Sequence, residues 1–237
     1  MEDVKEVMNE LAGYGNDSNK KVFMSQGARE PLFGVRVGDV KKLAKRYAQN
    51  HALAVDLYRT GNSDAMYLAG MLADPQQMTP ELLNEWVEKA HWYLLSEYAV
   101  AGVAAESPYG LEMARKWIDN DQEMIANAGW ATWAQMVAFL PNESLDQPEL
   151  EQLLERVRTT IHEVPNRVRY SMNNFLIAVG GLYSPLSEKA LGVANEIGKV
   201  QVELGGTACR VPYAPVYIEK IWKAGKEAVK SKAFLLR

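Results

Sequence analysis

Apolar residues recur along this chain at intervals of three and four, the period of an amphipathic helix. Val4, Val7, Met8 and Leu11 place such a face on residues 1–12. Residues 20–25 read as a short helix. Val40, Leu43, Ala44 and Tyr47 mark a further one running from Asp39 to about Asn50. Asp39 is its expected cap, because a short side-chain oxygen can accept the amide hydrogens that a first turn leaves unbonded. A helix over 51–60 is closed by Gly61, and Asn62 or Ser63 caps the next. Thr79-Pro80-Glu81-Leu82 combines a cap with proline at the first helical position and starts a helix to about Lys89. Ser107-Pro108 opens another, with Leu111, Ala114, Trp117 and Ile118 turned inward. Residues 148–162 and 166–182 form a long pair. Ser184-Pro185 begins a helix to about Gly198, and a last one runs from about Pro215 to Lys230. Residues 200–212, which hold Gly205-Gly206, read as irregular and at most extended over 200–204. Alternation of apolar and polar residues between hairpin turns is missing, so no sheet is expected.

Three of these helices share a small pair: Ala69-Gly70, Ala101-Gly102 and Ala128-Gly129, within 64–74, 96–107 and 122–137. The stretch 166–181 has the same texture but carries Met172-Asn173 in place of the pair. Small residues let two helices approach closely while larger neighbours fill the core. Recurrence at about the length of one helix pair predicts an all-α fold of stacked antiparallel helix pairs, a HEAT/ARM-like superhelix. One domain is expected over residues 1–237, ending in a basic helix or tail at about 215–237.

Net charge is −4, which argues against a generic nucleic-acid binder, but its distribution changes that picture. Residues 1–50 carry +2, residues 51–155 carry −13 and residues 156–237 carry +7. Basic ends of a curved array would flank one concave face; the plainer reading is a set of solvated helix faces. The lone cysteine, Cys209, forms no internal disulfide and has no evident catalytic partner. The acidic start lacks the basic and apolar regions of a signal peptide, and 175–183 is too short to span a bilayer. A cytoplasmic protein is expected. His51, His91 and His162 are scattered without metal-ligand spacing, and no nucleotide-binding loop occurs, so neither metal nor cofactor is expected.

The runs Asn62-Ser-Asp-Ala-Met-Tyr-Leu-Ala-Gly70, Glu106-Ser-Pro-Tyr-Gly-Leu111, Ala128-Gly-Trp-Ala-Thr132, Thr160-Ile-His162 and Asn166-Arg-Val-Arg-Tyr-Ser-Met-Asn-Asn-Phe175 carry a resemblance. Over roughly residues 1–220 the chain resembles the bacterial DNA alkylation repair enzymes, AlkD-like DNA glycosylases with HEAT-like repeats. The resemblance implies binding of duplex DNA and excision of N3- or N7-alkylated, cationic purines. A carboxylate and aromatic faces would stabilise the positive charge that develops on the sugar. A monomer is the default for this architecture, and no membrane partner is expected.

Residue by residue, the family's Trp-Trp-Asp-x-x-Asp segment falls on His91-Trp92-Tyr93-Leu94-Leu95-Ser96. Trp92 keeps an aromatic that would face DNA. The catalytic Asp falls on Ser96, which carries no charge, with Glu97 next to it. An Arg of a later helix falls on Asn127, and a second aromatic falls on Asn174. The resemblance thus makes Trp92 and Glu97 the candidate catalytic residues. Arg156, Arg158, Arg167, Arg169, Tyr170 and Asn127 are the candidates for DNA contact, since cations and aromatics together hold a phosphate backbone. The alternative roles are core packing for Trp92, Trp130 and Trp133, a helix-start carboxylate for Glu97, and surface ion pairs for the arginines. A non-catalytic binding module for structured nucleic acid or a partner protein is the competing function.

Overall fold

A computed structural model of the chain describes residues 2–48, 50–206 and 210–225. Among these residues there are thirteen α-helices and no strand. Helices α1 (Glu2–Gly13), α2 (Asp17–Ser25) and α3 (Val37–Arg46) lead into α4 (His51–Arg59) and α5 (Ser63–Leu72). Next come α6 (Pro80–Lys89), a π-helical stretch Leu94–Val100 that runs on into α7 (Ala101–Glu106), α8 (Gly110–Trp117) and α9 (Glu123–Phe139). The chain continues through α10 (Gln147–Thr160), α11 (Asn166–Leu182), α12 (Ser187–Ile197) and α13 (Ala214–Lys223).

Local chemistry accounts for the boundaries. Asn62 accepts from the amides of Asp64 and Ala65, and Thr79 from that of Leu82 ahead of Pro80. Asp39 does not cap α3 as expected. The helix begins two residues earlier, at Val37, which leaves Asp39 in the first turn, bonded to Lys42 at 2.7 Å. Its carboxylate still favours the helix start through the helix dipole. The helix expected at Ser107-Pro108 starts at Gly110, and the one expected at Ser184-Pro185 first makes a 3₁₀ turn, Ser184–Leu186. The last helix ends at Lys223 among the described residues; Cys209 and most of the basic tail lie outside them.

The second helix of each pair forms a central row: α5, the π stretch with α7, α9, α11 and α13, each packed on the next. All ten residues of α5 are buried. Helices such as α8 lie on the outside and bury only one face, here Gly110, Met113, Ala114 and Trp117. The small residues sit where helices approach most closely, within the row at Gly70 and between the row and α8 at Gly129. A methyl group at Gly70 would meet Ala99 Cα at 2.6 Å, and one at Gly129 would meet Ile118 N at 2.6 Å. In α11 the close approach falls on Gly180 and Gly181, against Ile218 and Ile221 of α13, rather than on Met172-Asn173.

Aromatic residues fill the wider gaps. Tyr58 stacks on Trp86 at 4.1 Å and donates its hydroxyl hydrogen to the Trp86 carbonyl at 2.6 Å. Trp130 and Trp133 are buried, as the packing reading expected. α9 joins the two apolar clusters: Ile125 and Ala128 belong to the N-terminal one, Trp130 and Trp133 to the other.

Two loops are held by side chains rather than by regular structure. The Asp64 carboxylate accepts the amides of Phe33, Gly34 and Val35 at 2.6, 3.1 and 2.9 Å. Burial raises its pKa in spite of those three donors. The segment after α12 crosses back to the N-terminal part, where Ser25 Oγ donates to the Gly205 carbonyl at 3.3 Å.

Candidate nucleic-acid interface

The π-helical stretch lies where the resemblance placed the reactive carboxylate. An α-helix turns about 100° per residue. A π turn, closed between residues five apart, takes up one residue more, and such bulges are frequent at functional sites. Ser96 and Glu97 are consequently both buried, yet meet different partners. Asn127 Nδ2 donates to Ser96 Oγ at 2.7 Å. Glu97, 3% exposed, receives the guanidinium of Arg167 from the first turn of α11, with Nε at 3.0 Å from Oε1 and a second, shorter bond from the same fork.

Arg167 is fixed from every side. Its guanidinium lies 4.3 Å from the centre of the Tyr93 ring and 4.6 Å from that of Tyr170. Its amide donates to Glu123 Oε1 at 2.6 Å. Gln135 Nε2 holds the Glu97 carbonyl at 2.7 Å. Burial pushes the Glu97 carboxyl above its ordinary range, while the charge and hydrogen bonds of Arg167, with a bond from Asn127, pull it back.

The pair stands between two hollows. Arg167 lines a chamber of about 370 Å³ with Gln26, Tyr93, Tyr98, Tyr170 and Leu204. Glu97 lines a cleft of about 250 Å³ on the face of α9 and α11, among Ala131, Ala134, Gln135 and Asn174. Tyr98 borders both.

The structure divides the residues singled out from sequence. Glu97, Arg167 and Tyr170 come together, and Asn127 lies behind them, fully buried and out of reach of a ligand at the surface. Trp92 borders the chamber but is otherwise packed inside. It is 2% exposed, with its ring 5.1 Å from Phe23 and 5.6 Å from Tyr93, because a large flat ring fills the space between α2 and the π stretch. Arg156 and Arg158 sit on α10, away from the chamber. Arg156 bonds Asp119 at 2.6 Å and covers Trp130; Arg158 bonds Glu155 and Glu196 at 2.5 and 2.7 Å. These are the surface ion pairs of the alternative reading. Arg169 differs: Nε donates to the Val164 carbonyl at 2.8 Å and Nη1 to the Gln201 carbonyl at 3.4 Å.

Sequence reasoning missed Tyr93, which shares Arg167 with Tyr170, and Glu123. It also missed Asn166, which pairs with the backbone of Glu203 in both directions, accepting from N at 2.7 Å and donating to O at 2.9 Å. The available signal was the aromatic and acidic character of positions flanking the segments already singled out. Among the described residues no group of three or more His, Cys, Asp or Glu is placed to hold a metal ion. The histidines serve structure: His51 accepts from the Asp74 amide, His91 meets Ser63 Oγ and His162 meets the Ile197 carbonyl. No helix of the described residues is long and apolar enough to cross a membrane.

This architecture defines an all-helical repeat protein of stacked helix pairs. The sequence profile of the DNA alkylation repair enzymes matches residues 7–200, and the chain belongs to that family. It is 35% identical to an uncharacterised protein of Listeria innocua serovar 6a and 36% identical to one of Listeria monocytogenes serovar 1/2a. Each alignment spans 217 residues, 89% of this chain and 93% of the relative. A solved structure, 38% identical, superposes with a TM-score of 0.87 over 96% of this chain and 97% of its own. That protein is described as one of a new family related to the HEAT-like repeat DNA glycosylases, with affinity for branched DNA structures.

Proposed function

We propose that this protein binds DNA by recognising its shape, with branched DNA as the preferred ligand, and does not excise alkylated bases. The observation that carries this reading is the Arg167–Glu97 pair. Excision of a cationic purine by the family's route needs a carboxylate with its charge available to a developing sugar cation. Glu97 is the buried acid nearest the expected position, and its charge is already matched by an internal guanidinium lying between Tyr93 and Tyr170. A planar cation between two aromatic rings and against a carboxylate is what a cationic base would be in an active site; here the chain supplies its own. Ser96, at the expected aspartate, brings no charge. Affinity for branched DNA in a relative 38% identical supports the choice of ligand.

The test has two arms. DNA carrying 7-methyl or 3-methyl purines is incubated with the folded protein and free base is measured; none above background is expected, and release above background overturns the reading. Binding is then compared between a four-way junction and a linear duplex of equal length and composition. Tighter binding of the junction is expected, and equal affinity removes the shape preference.

A further inference from the structure

A second cavity, of about 680 Å³, adjoins the chamber and shares Asn166, Glu203 and Leu204 with it. Its cations are Arg169 from α11 and Lys199 and Arg210 from the irregular segment, against one carboxylate, Glu203, among the described lining residues. Arg156, Arg158 and Arg167 each meet a carboxylate, whereas Arg169 uses two of its five N–H donors on backbone carbonyls. No ion pair joins Lys199 or Arg210 to a carboxylate among the described residues, and both are exposed. The wall is tied to α11 at three of its residues. Arg169 grips Gln201, Asn166 grips Glu203, and Asn173 Nδ2 donates to the Pro212 carbonyl at 2.9 Å. Three cations that line one cavity, with donors not spent on acids among the described residues, match the oxygens of a phosphoryl group.

We propose that this cavity is a phosphoryl-group seat, with Lys199, Arg210 and Arg169 as its cations. It rests on the reading of the chain as a DNA-binding protein for the source of the group, a backbone phosphate. A free phosphate has the same chemistry.

The experiment uses the full chain and the double variant Lys199→Ala/Arg210→Ala, with Lys116→Ala on the outer helix α8 as a control for lost charge. Both mutated side chains are exposed, and thermal unfolding checks that the variants fold. A fluorescent four-way junction is titrated at several NaCl concentrations. In the double variant, affinity near 0.1 M salt is expected to fall about tenfold, and the slope of log K against log salt by about one per cation lost. Lys116→Ala is expected to change affinity less than twofold. A parent chain that binds the junction, with a double variant that matches its affinity and slope, overturns the seat and leaves the DNA reading standing. If the parent binds no DNA, the DNA reading fails and a second probe decides the seat. Sodium phosphate is compared with sodium chloride at equal ionic strength for its effect on Tm. A rise in the parent that is absent from the double variant assigns the seat to free phosphate; an equal response in both overturns it.

Discussion

Arg167 and Arg169 leave the same turn of α11 and end in opposite surroundings. Arg167 is taken into the protein, between two tyrosines and onto a buried carboxylate, where its charge is cancelled. Arg169 turns to the irregular segment, bonds only neutral carbonyls, and keeps its charge for the cavity beside Lys199 and Arg210. Two cations two residues apart thus do different work. One completes the interior between the two hollows, and the other contributes positive potential to a surface. What separates them is whether a carboxylate lies within reach, which depends on packing between residues far apart in the chain.

The sharpest way to break this contrast is Arg167→Met. Removing one partner of a buried pair leaves a charge without compensation, and a loss of about 3–5 kcal/mol is expected in denaturant unfolding. A loss below about 1 kcal/mol would mean that the pair is not buried in solution. The deficit should also depend on pH. Burial holds the folded Glu97 pKa above the ordinary 4.5 even with Arg167 present. A raised folded pKa means that the folded state binds the proton more tightly, so stability falls as pH rises from the ordinary value through the raised one. Without Arg167 the folded value climbs further and the window widens upward, so the variant should be closer to the parent at pH 5 than at pH 8. Replacing both partners, Glu97→Leu with Arg167→Met, removes the uncompensated charge. It is expected to recover the stability to within about 2 kcal/mol of the parent.

Arg169→Met should cost less, roughly 1.5 kcal/mol, because it breaks hydrogen bonds to neutral acceptors. Its distinguishing effect is local: amide exchange should speed up in 199–206 while α9 keeps its protection. Uniform loss of protection would mean that Arg169 supports the core as Arg167 does. The smallest effect is expected for Arg158→Ala. Its partners are more than half exposed, and such pairs contribute about 0–1 kcal/mol. Junction affinity should change by less than twofold in that variant, and a fall like that of the cavity variant would erase the distinction between paired and unpaired cations.

Much of the scaffold was legible because it is encoded locally. Asn62 and Thr79-Pro80 announce helix starts, the span of α11 follows from its apolar period, and Gly70 and Gly129 mark close approach. Where a helix lacks so direct a signal the boundary is less legible: α3 starts at Val37 and not after Asp39, and α11, with Met172-Asn173 in place of a small pair, makes its close approach at Gly180 and Gly181. The site was legible only in parts. Glu97, Arg167 and Tyr170 were candidates singly, but their meeting depends on a contact across seventy residues and on a π turn whose change of phase no periodicity displays. Trp92 had two readings, because an aromatic that lines a groove and one that fills a core look alike in sequence. Lys199 and Arg210 gave no signal, since their setting is a stretch without periodic structure.

That stretch is fastened in a particular way. Asn166, Arg169 and Asn173 take hold of Gln201 O, Glu203 N and O, and Pro212 O, all of them main-chain atoms. Its course is therefore set largely from α11, together with Val200 in the core, Val202 and Val211 packed against it and Gly205 against Ser25, while the exposed side chains of Lys199 and Arg210 take no part in that hold. Exchanging those exposed residues would change the charge of the cavity without redesigning the helices beneath.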